Sequence, residues 1–340
     1  MTLTPRHPFR IARSVHTVYH HHLVRLEHEG AVGWGEAAPS RRYGETPATV
    51  AAALPDLAEQ LGDDPYAMAA IEARWNGQLQ GNASAKAALS MALYDLVARR
   101  HGMPLYRWFG LELSAVPMTS FTIGIDTPEV MQAKLVEAAP YAILKIKLGF
   151  EGDIAVLEQL RELTEKPIRV DANEGWTRSG ALSRLPALAA LGVELVEQPV
   201  PAADQAGLAA VSAASRVPVV ADESCLTTAD LAALVGVVDV VNVKLAKCGS
   251  VGEAWRLMTA ARALGFGVFP GCMVESSLGI AAAAHLAPLA DYVDLDGHLL
   301  LADDPFDGLR FEAGRVLPDP EAPGLGVAPG DNESAAQGLQ

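Results

Sequence analysis

The chain has 340 residues, half of them hydrophobic and 20% charged, with a net charge of −15. That composition belongs to a folded globular protein of one large or two ordinary domains, not to a disordered chain. The acidic balance and the lack of a long Lys/Arg cluster exclude nucleic acid as a partner, and no apolar run approaches the roughly 20 residues that span a bilayer.

The N-terminal stretch "MTLTPRHPFRIARSVHTVYHHH" lacks the continuous apolar core of a signal peptide. Residues 1–115 read as α+β. "HHLVRLEHEGAVGWGEAAPS" predicts strand, turn and strand with Gly30 at the turn. "NASAKAALSMALYDLVARRHG" predicts a helix with Ala85, Ala88, Leu89, Ala92, Leu93, Leu96 and Val97 on one face, Asn82 or Ser84 as its cap, and Gly102 as its stop.

From residue 118 the rhythm changes to eight β-rich runs alternating with helical stretches. The residues at their C-terminal ends are Thr122, Lys147, Asp171, Glu197, Asp222, Lys244, Cys272 and Asp296, spaced 25, 24, 26, 25, 22, 28 and 24 residues apart. Eight βα units of near-constant length predict an α/β fold of the (β/α)8 type over residues 116–305. The pattern ends after residue 305, and within the C-terminal segment 306–340 the Pro- and Gly-rich tail "DPEAPGLGVAPGDNESAAQGLQ" is expected to pack loosely or fray.

Active sites of this architecture lie at the C-terminal ends of the strands. Six of the eight ends are ionisable, and buried charge is costly unless paired or metal-bound. Asp171, Glu197 and Asp222 come from consecutive strands about 4.8 Å apart, so their carboxylates are expected to converge. An oxygen-only set of this kind suits a hard cation, Mg²⁺ foremost, although each acid alone could cap a helix or pair with a lysine. Lys147 and Lys244 flank the trio from opposite sides. In "AILKIKLGF" Lys145 and Lys147 share a strand face, and the expectation is that Lys145, together with the metal, pulls Lys147 towards the pKa of a useful base.

These stretches, "LKIKLG", "VDANEGW", "LVEQP", "ADES", "NVKLAKCG" and "GCMVESSLG", with "GWGEAAPS" and "YGET" before them, resemble the muconate-lactonizing subgroup of the enolase superfamily. The resemblance spans nearly the whole chain. It implies an N-terminal capping domain (1–115) over the barrel, with the C-terminal segment returning to that cap. It also implies Mg²⁺ at Asp171, Glu197 and Asp222, catalytic bases at Lys147 and Lys244, and Asn173 and Glu223 in support. The implied chemistry is removal of a proton α to a carboxylate by one lysine and its return to the other face by the second. "YVDLDGH" resembles the Asp-x-Asp motif of dipeptide epimerases, which implies that Asp294 and Asp296 grip the α-ammonium of a dipeptide, with Thr122 and Lys145 also lining the substrate site. Relatives selective for glutamate carry an arginine where this chain has Ser14, with Arg10 and Arg13 nearby, so the side-chain preference stays open. Arg41, Arg42 and Tyr43 fall in the loop expected over the site.

The resulting expectation is a cytoplasmic, Mg²⁺-dependent dipeptide epimerase, with an N-acylamino-acid racemase or another enzyme of the subgroup as the alternative. A Schiff-base aldolase barrel would not need the three carboxylates. The partner is a small molecule, and a homo-oligomer is compatible with the sequence. Other features carry little. His20, His21 and His22 alternate faces and do not converge. "NAS" reads as a helix cap rather than a glycosylation site, and "GAVGWG" lacks a nucleotide-binding pattern. Cys225, Cys248 and Cys272 are too scattered for a disulfide framework or a CxxC metal site.

Overall fold

The computed structural model describes residues 1–330. In the N-terminal part, β1 (His22–His28) pairs antiparallel with β2 (Ala31–Ala37), and Glu29 and Gly30 turn the chain at positive φ. The glycines of β2 are there for packing. A Cβ on Gly33 or Gly35 would lie 2.0 or 1.9 Å from a carbonyl oxygen of Ala92 or Ala88, so the bare strand rests on helix α3 (Ala83–Arg100). With α1 (Pro47–Ala58) and α2 (Met68–Gln78) also against it, α3 is buried all round from Ser84 to Ala98, not on one face as its periodicity predicts. Its small side chains allow that enclosure. The cap also differs. Asn82 makes no side-chain cap bond, and Glu45 accepts the Ser84 N–H at 3.0 Å instead.

The barrel is a curled parallel sheet of seven strands, β3 (Ser120–Ile123), β4 (Ile143–Lys147), β5 (Ile168–Asp171), β6 (Val193–Glu197), β7 (Val219–Ala221), β8 (Val240–Val243) and β9 (Gly267–Pro270), paired in sequence order. Helices between the strands cover the outside. Two positions depart from the sequence reading. β9 ends two residues before Cys272. The eighth run forms no strand: Val293 and Asp294 make single bridges to Thr119 and Gly271, closing the ring between β3 and β9. The reason is that its carboxylates take donors from β3. Asp294 accepts from the Ser120 hydroxyl, and Asp296 accepts the Thr122 N–H that a regular ladder would use.

The C-terminal segment, where described, is packed rather than frayed. Leu325 and Val327 are buried, the Leu325 N–H donates to Asp95 of α3 at 2.7 Å, and Arg99 donates to the Val327 carbonyl. Residues 331–340 of the tail lie outside the described residues. Among the described residues no helix is long and apolar enough to cross a membrane.

Candidate active site

Strand register assembles the first row. Lys147 on β4 stands opposite Asp171 on β5, and Asp171 stands opposite Glu197 on β6. Asp222 follows β7 by one residue and Lys244 follows β8 by one. None of the five is more than 7% exposed. Ammonium groups stand between the carboxylates: Lys147 lies 2.6 Å from Asp171, and Lys244 lies 2.7 Å from Asp222. The two lysines therefore address different acids from different arcs of the ring.

Lys145, one inward position below Lys147, lies 2.6 Å from Asp294, 2.6 Å from Glu197 and 3.3 Å from Asp171. Burial alone would lower its pKa, but these three acids outweigh burial and hold it well above the usual lysine value. The charge of Lys145 is thus matched by carboxylates. Lys244 is likewise raised, with Asp222 and Glu197 outweighing burial. Against the cost of burial, Lys147 and Lys145 hold Asp171 down to about 2. Glu197, raised by burial and then by Asp171, is pushed up to about 8. Negative charge at Glu197 is thus incompletely matched.

Among the described residues no three acidic, His or Cys side chains are placed so as to hold a metal ion as they stand, and the carboxylates are paired with Lys145, Lys147 and Lys244 instead. The donor set nevertheless fits a hard cation. It is all oxygen, and it includes buried oxygens that receive no aligned hydrogen bond: Glu197 Oε2, both carboxylate oxygens of Glu223, and Asn173 Oδ1. Lys145 lies 2.6 Å from Glu197 and Arg13 lies 2.7 Å from Glu223. Asn173, at φ 45°, supports Asp171 through its N–H at 2.8 Å and its side-chain amide at 3.2 Å.

Asp294 and Asp296 are both buried at this end of the barrel, but they differ. Asp294 is engaged by Lys145 and by the Ser120 hydroxyl, each at 2.6 Å. The sequence reading paired the lysines with the trio alone, and the structure corrects it. Asp296 accepts the Thr122 N–H at 2.6 Å and is pushed up to about 7 by burial and by Asp294.

Loops of the N-terminal part reach this mouth. Arg13, rather than Ser14, faces the site, with one nitrogen 2.7 Å from Glu223 and another donating to the Asn173 carbonyl. Arg41 and Arg42 are both exposed, and Arg42 forks onto Glu174 at 2.5 and 2.7 Å. Burial, and then Asp222, raise the Tyr43 hydroxyl. Sequence reading missed Lys247 and Asn242. Lys247 donates to Asp222 at 2.5 Å, and the Asn242 amide donates to Glu197 at 2.9 Å. The signal for Lys247 was its place one helical turn after Lys244 in "NVKLAKCG".

Residues 1–110 match the mandelate racemase / muconate lactonizing enzyme N-terminal domain, and residues 129–333 match the enolase C-terminal domain-like family. The chain belongs to the enolase superfamily. The chain is 40% identical to an L-Ala-D/L-Glu epimerase of Bacteroides thetaiotaomicron over 95% of this superfamily member and 84% of that protein. It is 40% identical to a hydrophobic dipeptide epimerase of Roseobacter litoralis over 95% and 96% of the two chains. The crystal structure of an Enterococcus faecalis dipeptide epimerase complexed with Mg and L-Leu-L-Tyr superposes with a TM-score of 0.91, at 35% identity, covering 96% and 97% of the chains.

Proposed function

We propose that this enolase-superfamily protein is a Mg²⁺-dependent dipeptide epimerase, an isomerase that inverts the α-carbon of the C-terminal residue of a dipeptide. The observation that carries the reading is the placement of Lys147 and Lys244 on opposite arcs of the barrel mouth, each bonded to a different member of a buried carboxylate set. Relatives named as dipeptide epimerases support the substrate class. The division into a cap of residues 1–115, a barrel of residues 116–305 and a returning segment of residues 306–340, and a cytoplasmic location, belong to the same proposal.

Asp171, Glu197 and Asp222 would hold Mg²⁺, which would supply positive charge where the substrate carboxylate gains a second negative charge. One lysine takes the α-proton and the other delivers a proton to the opposite face. In the reverse direction the roles exchange. Asp296, aided by Asp294, receives the dipeptide α-ammonium. The closed mouth under Arg13, Arg42 and Tyr43 keeps bulk water from the reacting carbon.

The test is exchange in D2O. L,L-dipeptides, L-Ala-L-Glu and L-Leu-L-Tyr among them, are incubated with protein and Mg²⁺ and then read by mass spectrometry and chiral chromatography. One deuteron gained with inversion, and lost with EDTA, is the expected result. Exchange confined to N-acyl amino acids would sink the dipeptide assignment.

A further inference from the structure

Each carboxylate of the trio is tied on one oxygen by an outer group and faces an ammonium with the other. Asp171 Oδ1 accepts from the Asn173 N–H at 2.8 Å, Glu197 Oε1 from the Asn242 amide at 2.9 Å, and Asp222 Oδ1 from Lys247 at 2.5 Å. The second oxygens face Lys147, Lys145 and Lys244 at 2.6, 2.6 and 2.7 Å. Only Asp171 departs slightly, since the Asn173 amide also touches Oδ2 at 3.2 Å.

We propose that Lys247 and Asn242 are positioning residues that lock Asp222 and Glu197 as one-oxygen donors, leaving the remaining space at the metal for the substrate. The inference rests on the metal assignment made above. Lys247 is 4% exposed, and its ammonium also meets the carbonyls of Asp222, Asn242 and Cys225 at 2.7, 2.9 and 3.1 Å. Four acceptors surround three N–H groups, so none is left for a substrate. Lys244, by contrast, donates to Asp222 Oδ2 alone. Asn242 is fully buried, and Gly271 gives it room: a Cβ there would lie 2.7 and 2.9 Å from its amide oxygen and nitrogen. The four bonds of Lys247, to a side chain and three carbonyls, also tie the end of β8 to Asp222 and the turn after β7.

Binding of Mn²⁺ to the full chain, followed by the loss of its free-ion electron paramagnetic resonance signal, tests the proposal without any turnover. Lys247→Met and Asn242→Leu keep the volume and remove the donor. Each is expected to weaken Mn²⁺ binding by about 10- to 100-fold at temperatures well below its melting point, as loss of an outer hydrogen-bond partner does at metal sites. The sign is decisive for Lys247→Met. Removing a positive charge would by itself tighten the binding of a dication, so weaker binding reports lost orientation. Binding within twofold of the wild type, or tighter, overturns the proposal. If Lys247→Met does not fold, Asn242→Leu decides by the same limits. A wild-type chain that binds neither Mn²⁺ nor Mg²⁺ overturns the metal assignment itself and this inference with it. Wild-type binding with unaffected variants removes only the inference.

Discussion

Burial and the neighbouring Asp294 push the Asp296 carboxyl up to about 7, against the hydrogen bond it accepts from the Thr122 N–H. The folded pKa is raised, so the group is neutral below pH 7 and charged above it. If it receives the dipeptide ammonium, binding strengthens as pH rises through 7, until the substrate amine itself loses its proton near pH 8. KM measured from pH 6 to 7 should therefore fall by several-fold, approaching the tenfold limit per pH unit for a single titrating group. Asp296→Asn should show a raised and flat KM over the same range. A variant with the wild-type profile would remove Asp296 from substrate binding.

Between elements, one carboxylate joins the N-terminal part to the barrel. Glu36 on β2 accepts from the N–H groups of Ser276 and Gly279 at 3.2 Å, from the Ser276 hydroxyl, and from His21 at 2.6 Å. It thereby satisfies open donors at the start of helix α4 (Ser277–Ala284) and meets the positive end of the helix dipole. Burial would raise its pKa, but His21 and Ser276 win and hold it below the ordinary value. Because the folded pKa is depressed, the stabilisation is present above the unfolded Glu pKa and is lost as pH falls towards the folded one. Glu36→Ala leaves several buried donors unpaired and should cost about 3 kcal/mol, read from urea denaturation at pH 7. A loss below about 1 kcal/mol would mean that water replaces the carboxylate.

Across the whole molecule, ion pairs join loops distant in sequence at the mouth of the barrel. Arg42 and Glu174 are 132 residues apart, and their side chains are 33% and 12% exposed. A pair this accessible is worth on the order of 1 kcal/mol, or roughly fivefold in an equilibrium constant, and is screened by salt. Arg42→Ala should accordingly raise KM about fivefold with little change in kcat. Wild-type KM should climb towards that of the variant between low and high NaCl. A large fall in kcat with KM unchanged would show that the fork orders the reacting groups rather than the closed mouth.

Much of the architecture was legible because it is local. The alternation of apolar residues, and strand ends recurring every 22–28 residues, placed seven strands and the Lys147–Asp171–Glu197 row, since side-chain direction in a strand follows from chain position alone. The turn at Gly30 was equally local. What the sequence could not decide was which distant group each buried charge would find. Lys145 and Asp294 are separated by 149 residues, and Ser84 takes its cap from Glu45, 39 residues away. Lys247 finds its acceptors, the carbonyls of Asp222 and Cys225, on the turn after β7, more than 20 residues before it. The packing of Leu325 and Val327 on α3 was hidden behind a Pro- and Gly-rich composition. Periodicity dictates the face on which a residue lies. The partner of a buried charge is chosen by the three-dimensional packing that removes it from water, and that choice belongs to the tertiary structure.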